Sequence, residues 1–160
     1  MTIRNAVPGD SGRIAEIYAH YVLDTAISFE LVPPDAAEIG RRMAAFSPYP
    51  YIVAEENGIV IGYAYAHPLS ERPAYRRSAE VTIYLDSDMQ RRGIGKALYA
   101  ELEKQLKSID VHNLYAIVTY PGWGSVEFHQ KMGYTICGRL TDCGEKLGQL
   151  QSVVYMEKRI

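Results

Sequence analysis

The chain has 160 residues, a length typical of one domain that buries about two thirds of its unfolded surface. Hydrophobic residues make up 48% and charged residues 22%, as in ordinary globular proteins, and a formal net charge of −2 argues against a general nucleic-acid binder. No apolar segment resembles a signal peptide or could span a bilayer, and the two cysteines and four scattered histidines lack metal-ligand spacing. We therefore expect a single domain, residues 1–160, in a reducing cytoplasm and without a metal ion.

The first half of the chain predicts the order strand, helix, helix, strand, strand. The predicted elements are a strand at 3–7, helices from Asp10 or Ser11 to about Leu23 and from Asp35 to about Phe46, and strands at 51–55 and 59–67. Asp35 is a typical N-cap residue. Asn57-Gly58, between the last two strands, is a strong hairpin signal.

A basic glycine turn lies between a strand and a helix in the middle of the chain. The strand, residues 80–86, alternates, so that Val81, Ile83 and Leu85 share one face and Glu80, Thr82 and Tyr84 the other. The helix carries an apolar stripe that consists of Ile94, Leu98, Leu102, Leu106 and Ile109. The turn itself reads QRRGIGK over residues 90–96. Its two glycines let backbone N–H groups face a ligand, and the positive end of the helix favours a phosphate or pyrophosphate.

Two better-known phosphate loops do not match this turn. A P-loop requires glycine in place of Gln90 and Ser or Thr in place of Ala97, whereas the dinucleotide fingerprint requires a third glycine in place of Leu98. The basic pairs at 76–77 and 91–92 flank the turn. Each pair is either part of the ligand site or an ordinary solvated surface.

The second half of the chain completes a mixed sheet. After the central helix it predicts a strand at 114–119, a short helix at 125–132 that Gly133 ends, and strands at 134–140 and 153–158. The complete order predicts an α+β fold in which about four helices flank one mixed, mostly antiparallel twisted sheet of about seven strands.

This order of elements and the turn from Gln90 to Gly95 resemble the GNAT superfamily of N-acetyltransferases, whose signature is Gln/Arg-x-x-Gly-x-Gly/Ala. The resemblance covers nearly the whole chain. Within the superfamily the chain looks most like the phosphinothricin and methionine sulfoximine acetyltransferase branch. The matching stretches are residues 16–18, 25–30, 53–55, 62–66, 72–75, 79–84 and 128–134.

The resemblance implies acetyl-CoA as the acetyl donor. Main-chain groups of Ile83, Tyr84 and Leu85 would hydrogen-bond the pantetheine arm like an added strand. The N–H groups that would hold the pyrophosphate belong to Arg91, Arg92, Gly93, Ile94, Gly95 and Lys96. Superfamily members often have an asparagine that contacts CoA before the short helix, whereas this chain has Gly122 there.

The chemistry of amide formation requires a neutral amine. At pH 7, deprotonation costs about 1 kcal/mol for an α-amine and about 4–5 kcal/mol for a lysine-like amine. Glu80 is the predicted base, acting directly or through water, and its alternative is an ion pair with Arg76 or Arg77. His129 stands where many members have a general-acid tyrosine, and it is predicted to protonate the CoA thiolate. Its alternative is a packed or capping histidine beside Phe128.

The resemblance assigns the acceptor to residues from three segments, which are Phe29, Glu30, Arg72, Tyr75 and Lys146. Arg72 and Lys146 would hold a carboxylate or phosphinate, and Glu30 would receive the ammonium. Each of these residues is also an ordinary loop residue. The branch motif Lys-Phe-Gly-Arg-Trp appears as KLGQL at 146–150, without the arginine and the tryptophan, which weakens the inference of a herbicide-type substrate.

These features together predict an acetyl-CoA-dependent N-acetyltransferase with a small amino-acid-like acceptor such as phosphinothricin, methionine sulfoximine or methionine sulfone. A polyamine, an aminoglycoside or a protein N-terminus is the alternative acceptor. A non-catalytic acyl-CoA-binding sensor is the alternative from another functional class, which Gly122 favours and Glu80 disfavours. Because family members often pair, we expect a homodimer. We expect no nucleic-acid or membrane partner.

Overall fold

The computed structural model describes residues 1–160 as seven strands and four α-helices. The strands are β1 (Thr2–Asn5), β2 (Tyr51–Glu56), β3 (Ile59–Pro68), β4 (Ser78–Leu85), β5 (Asn113–Tyr120), β6 (Thr135–Lys146) and β7 (Gln149–Arg159). The helices are α1 (Ser11–Asp24), α2 (Ala36–Ala45), α3 (Ile94–Ser108) and α4 (Ser125–Lys131). The strands form one sheet in the order β1-β2-β3-β4-β5-β7-β6, and only β4 and β5 are parallel. The predicted α+β fold is confirmed.

Each face of the sheet carries its own apolar core. On one face α3 buries Leu98, Leu102 and Leu106 completely, and on the other face α1 buries residues that include Ile14 and Ile17. The predicted stripe of α3 is wrong at Ile109, which is 37% exposed because the helix ends at Ser108 and Ile109 is its C-cap. No helix is long and apolar enough to cross a membrane.

The parallel strands β4 and β5 are paired only where they begin. Residues 78–80 of β4 pair with residues 113–115 of β5, and no pairing continues beyond Glu80. From that point β5 keeps its full pairing with β7, up to Tyr120 opposite Ser152, while β4 keeps its pairing with β3. The sheet therefore splits between the two strands, and the split opens a passage from one face to the other.

The two hairpins differ in how well the sequence predicts them. Asn57 and Gly58 have φ values of 52° and 78°, the left-handed values that the predicted tight turn requires. In contrast, the strands predicted at 134–140 and 153–158 extend to 135–146 and 149–159. Polar residues and glycines hide the alternation there, and the β6–β7 ladder contains two register shifts. The extension brings Lys146, at the end of β6, to the loop after α1, where it donates a hydrogen bond to the carbonyl of Ser28.

Candidate active site

A cavity of about 510 Å³ fills the split between β4 and β5. Its walls come from both faces of the sheet. The walls on the α1 and α2 face include Tyr18, Phe29, Glu30, Tyr65, Glu80, Thr82 and Tyr84, and those on the α3 and α4 face include Ile83, Tyr99, Ser125 and His129. Nowhere in the structure are three His, Cys, Asp or Glu side chains grouped closely enough to hold a metal ion. Because its walls come from both faces of the sheet, the cavity can admit one molecule from each face, and the two can meet in the split.

Glu80 lies on β4 at the point where the split begins. Its carboxylate lines the cavity, and burial raises the pKa of this carboxyl, an effect that the nearby His67 partly opposes. The alternative ion pair with Arg76 or Arg77 is not formed, because both arginines bind Asp110, at 3.1 and 3.0 Å. Glu80 is thus a carboxylate that faces the cavity without an arginine or lysine partner.

His129 lies on the opposite side of the cavity, on α4, and is 4% exposed. Its Nδ1 lies 2.7 Å from the carbonyl oxygen of Ser125, and its Nε2 lies 2.8 Å from the hydroxyl of Tyr99. Because a carbonyl only accepts, Nδ1 carries the hydrogen, and Nε2 of the neutral ring accepts from Tyr99. Burial lowers the pKa of His129, which favours this neutral form. The ring also packs against Phe128, with centroids 5.3 Å apart.

The glycine turn leaves the start of α3 open to an anion. Gly93 is the N-cap, has a φ of 80° and provides no side-chain cap. The hydrogen bond from the Ala97 N–H to the Gly93 carbonyl is the first of the helix, so the N–H groups of Ile94, Gly95 and Lys96 have no partner in the helix. Free N–H groups at a helix N-terminus are well suited to a phosphate group.

The basic side chains of the turn differ in what they contact. The guanidinium of Arg92 binds Glu56, with a nitrogen–oxygen distance of 3.0 Å, whereas Arg91 and Lys96 are exposed to solvent. Two positive charges are therefore available beside the free N–H groups of α3.

The open edge of β4 offers main-chain groups of alternate residues. The main-chain groups of Ser78 and Asp86 form hydrogen bonds with β3. Because main-chain groups alternate along a strand, those of Tyr84 also face β3, whereas those of Ile83 and Leu85 face the split. Both groups of Leu85 contact the Tyr21 hydroxyl: the hydroxyl donates to the carbonyl over 2.6 Å, and the N–H lies 3.3 Å from the hydroxyl oxygen. Of the three residues predicted to hold the pantetheine arm, Ile83 alone has free main-chain groups at this edge.

Three of the predicted acceptor residues come together at one mouth of the cavity. Phe29 and Glu30 line it, and Lys146 donates a hydrogen bond to the carbonyl of Ser28 beside them. Burial lowers the pKa of Lys146. The carboxylate of Glu30 binds the two terminal nitrogens of Arg42, over 2.6 and 3.1 Å. Glu30 therefore already has a cationic partner.

The other predicted acceptor residues lie away from the cavity. Arg72 and Tyr75 belong to the segment 69–77 between β3 and β4, of which residues 71–77 are exposed, and neither lines the cavity. Gly122, which replaces the expected asparagine, has a φ of 96° in the turn before α4 and places no side chain near the cofactor face.

The sequence does not single out several residues that the structure places in the site. These residues are Tyr18, Tyr65, Tyr99 and Thr119, and all of them line the cavity. Thr119 donates a hydrogen bond of 2.6 Å to the carbonyl of Ala26 and so ties the loop after α1 to β5. An available signal is the count of 13 tyrosines, since several of them occupy apolar positions of predicted helices and strands.

Comparison with known proteins identifies the family. A family model described as an acetyltransferase (GNAT) domain matches residues 3–151. The chain belongs to the GNAT family of acetyltransferases. The predicted N-acetyltransferase class is confirmed, and so is the resemblance to the phosphinothricin and methionine sulfoximine acetyltransferase branch.

Individual relatives agree with this family over almost their whole lengths. The phosphinothricin N-acetyltransferase of Streptomyces viridochromogenes is 32% identical, over 98% of this chain and 86% of the relative. The L-methionine sulfoximine/L-methionine sulfone acetyltransferase of Salmonella typhimurium is 28% identical, over 100% of this chain and 95% of the relative. The crystal structure of a phosphinothricin acetyltransferase from Sinorhizobium meliloti in complex with acetyl-CoA has a TM-score of 0.94 and 34% identity, and covers 99% of this chain and 88% of that one.

Proposed function

We propose that this GNAT enzyme transfers the acetyl group of acetyl-CoA to the primary amine of a small amino-acid-like acceptor. The observation that carries the proposal is the split between β4 and β5. The Glu80 carboxylate lies on one side of a single cavity, and the face of the sheet that carries α3 and α4 borders its other side. Acetyl-CoA-bound relatives and relatives named for amino-acid-like substrates support both halves of the proposal.

The donor would lie on the α3 and α4 side and supply an acetyl group activated as a thioester. Its pyrophosphate fits the free N–H groups of Ile94, Gly95 and Lys96, and the charges of Arg91 and Lys96 add attraction. Ile83 supplies a free main-chain N–H and carbonyl for the amide groups of the pantetheine arm. Gly93 has no side chain to obstruct this approach.

Glu80 would act as the base on the acceptor side. It takes one proton from the ammonium, and the nitrogen lone pair then attacks the thioester carbonyl carbon. As the carbon–nitrogen bond forms, the carbon–sulfur bond breaks and its electrons remain on sulfur. The acylated nitrogen then releases its second proton and becomes the neutral amide. Burial raises the pKa of Glu80, and this improves its match to the amine as a base. Alignment of the amine and the thioester in the split contributes much of the rate.

His129 and Tyr99 would return a proton to the departing sulfur. Nε2 of the neutral ring would first take up the second proton that the acylated nitrogen releases. Because the two side chains are hydrogen-bonded, this proton can pass to the Tyr99 oxygen while Tyr99 gives its own proton to the thiolate. The ring returns to its neutral form, with Nδ1 still bonded to Ser125. Because burial lowers the pKa of His129, the imidazolium is a stronger acid here than an exposed one.

The acceptor would lie between aromatic walls and a group of charges at the other mouth. Tyr18, Phe29 and Tyr65 provide the apolar surface, while Lys146 and the Glu30 pair with Arg42 provide the charges. A zwitterionic amino acid complements both. Arg72 and Tyr75 stay proposed acceptor residues on the resemblance alone, since neither lines the cavity.

A thiol-release assay tests the proposal. Acetyl-CoA is mixed with the enzyme and with phosphinothricin, methionine sulfoximine, methionine sulfone, spermidine, an aminoglycoside or a short peptide. We expect thiol release with at least one of the three amino-acid-like acceptors and less with the polyamine, the aminoglycoside and the peptide. Release only with one of the latter would contradict the proposed acceptor class. Acetyl-CoA binding without release on any amine would instead indicate a sensor.

We also propose that the chain forms a homodimer through β6. This edge strand has no partner on its outer side, and its residues Ile136 and Leu140 are 46% and 47% exposed. Light scattering on the purified protein should then give a mass of twice 18.0 kDa. A mass of 18.0 kDa at micromolar concentration would contradict the dimer.

A further inference from the structure

Glu80 has one titratable neighbour within ion-pair distance. His67 lies directly opposite it in the β3–β4 ladder, and the distance from His67 Nε2 to Glu80 Oε1 is 3.8 Å. Directly opposite residues of an antiparallel pair extend their side chains to the same face. The two side chains are 27% and 25% exposed, so solvent screens their interaction less than it would at the surface.

The His67 ring is held in an orientation that directs Nε2 at Glu80. Its Nδ1 lies 3.0 Å from the carbonyl oxygen of Pro68, and a carbonyl requires a donor, so Nδ1 carries a hydrogen. The ring also lies against Phe46, at the end of α2, with centroids 5.1 Å apart. A second proton on this ring can therefore be taken up only at Nε2, which faces the carboxylate.

No other cation in the structure competes for Glu80. The titratable and charged groups around the pair are Tyr65 on β3, Tyr115 on β5 with Glu157 behind it on β7, and Glu30 with its partner Arg42. Tyr65 and Tyr115 are neutral near pH 7, and Arg42 is neutralised by Glu30 and Glu38. The two arginines nearest in sequence, Arg76 and Arg77, both bind Asp110.

We propose that His67 is a positioning residue that keeps Glu80 ionised, and so able to accept a proton from the acceptor amine, as the pH falls. As the pH decreases, an imidazole takes up its proton before a carboxylate does. The resulting charge on Nε2 stabilises the carboxylate that burial destabilises. This inference rests on the proposed role of Glu80 as the base. The interaction between His67 and Glu80 extends the active pH range of the enzyme on the acidic side.

The pH dependence of kcat/KM for the acceptor tests the proposal. In His67→Gln, which removes the charge, we expect the acidic limb to move to higher pH by about one unit, an approximately tenfold loss of activity at a fixed pH within that limb. The KM for acetyl-CoA should not change. His67→Lys keeps a cation and should restore the limb to the position it has in the wild type.

A matched control separates charge at this site from the loss of any histidine. His20 is paired with Asp24 on the surface of α1, and His20→Gln should leave the profile unchanged. An acidic limb that does not move in His67→Gln would overturn the proposal. So would a limb that moves equally in His67→Gln and His67→Lys, because that result would indicate a packing role instead.

A second measurement is independent of catalysis. The side-chain carboxyl resonance of Glu80 is titrated by NMR in the wild type and in His67→Gln. Because His67 lowers the pKa of the Glu80 carboxyl, its removal should move the Glu80 midpoint to higher pH. An unchanged midpoint would disprove the coupling even in an active enzyme. A shifted midpoint in a protein that acetylates no amine would leave the coupling intact and contradict the proposed function alone.

Discussion

Glu80 is a partly buried carboxylate beside a cavity, and its environment determines the expected pH dependence. Its pKa is raised by burial, so the ionised form is lost as the pH falls through a value above the ordinary value for glutamate. Activity should therefore decline on the acidic side at a pH higher than an exposed carboxylate would give. Steady-state kinetics with a fixed acceptor from pH 5 to pH 9 would measure this limb.

The substitution Glu80→Gln preserves the shape of the side chain and removes the base. We expect kcat to fall by roughly 10²-fold, because a positioned base typically contributes at least that much. The KM for acetyl-CoA should stay the same, since Glu80 lies at the proposed acceptor side of the split. If turnover is unchanged across the pH range, Glu80 does not act in the reaction.

At the scale of elements, the contact between α3 and α4 depends on a glycine. A Cβ on Gly95 would lie 3.1 Å from two atoms of the Phe128 ring and 3.5 Å from Ile83. We expect Gly95→Ala to lower the free energy of unfolding by about 1–3 kcal/mol, as overpacking typically does. It should also weaken acetyl-CoA binding, because either the Phe128 ring or the start of α3 is displaced beside the proposed pyrophosphate site. Urea unfolding and calorimetry measure the two effects.

Gly12 provides the matched control, since it is also the second residue of a helix. A Cβ at Gly12 meets nothing within 4 Å. Gly12→Ala should therefore stabilise the protein by about 0.4–1 kcal/mol and leave acetyl-CoA binding unchanged. Equal effects of the two substitutions would show that the contact between Gly95 and Phe128 is unimportant.

The position of the Phe29 ring, in the loop after α1, depends on Gly144 of β6. The Phe29 ring lies against Gly144, where a Cβ would overlap it. Gly144→Ala should displace Phe29 and raise the KM for the acceptor several-fold, while the KM for acetyl-CoA stays constant. Gly138→Ala, on the same strand, adds a Cβ no closer than 3.9 Å to a neighbour and should change neither constant. An unaltered acceptor KM in Gly144→Ala would exclude Phe29 from the acceptor site.

The sequence predicts most elements of this fold because their periodicity is clear. The stripe of α3 and the alternation of β4 locate both elements around the glycine turn. The extension of β6 and β7 is not predictable from pattern, because the strands are exposed there and carry residues such as Asp142 and Gly144. Because neither face of these strand segments is buried, their sequence carries no hydrophobic periodicity.

The candidate site is only partly predictable for a different reason. Glu80 and His129 follow from position within recognisable motifs. The pairing of His67 with Glu80 depends on the register of β3 and β4, and the connecting segment 69–77 is too long to fix a register as a tight turn does. The ion pair between Glu30 and Arg42 joins a loop to α2, and no local sequence pattern predicts it.

At the scale of the whole molecule, we propose that the split lets the donor and the acceptor occupy one cavity at the same time. The two cysteines, Cys137 and Cys143, are exposed on β6 and do not line the cavity, so neither is placed to carry the acetyl group. Direct attack in a ternary complex should give sequential kinetics. Initial rates at varied concentrations of both substrates should produce intersecting double-reciprocal lines, whereas parallel lines would indicate an acetylated enzyme and contradict direct attack.

The proposed mechanism requires that the donor lie in the split with its pyrophosphate at the start of α3, and isothermal titration calorimetry measures this binding. Acetyl-CoA should bind with one site per chain. Acetyl-pantetheine, which lacks the pyrophosphate, should bind at least about tenfold more weakly because it cannot use the N-terminus of α3. Equal affinities would place the pyrophosphate elsewhere, and no binding of acetyl-CoA to folded protein would contradict the proposed acetyl transfer.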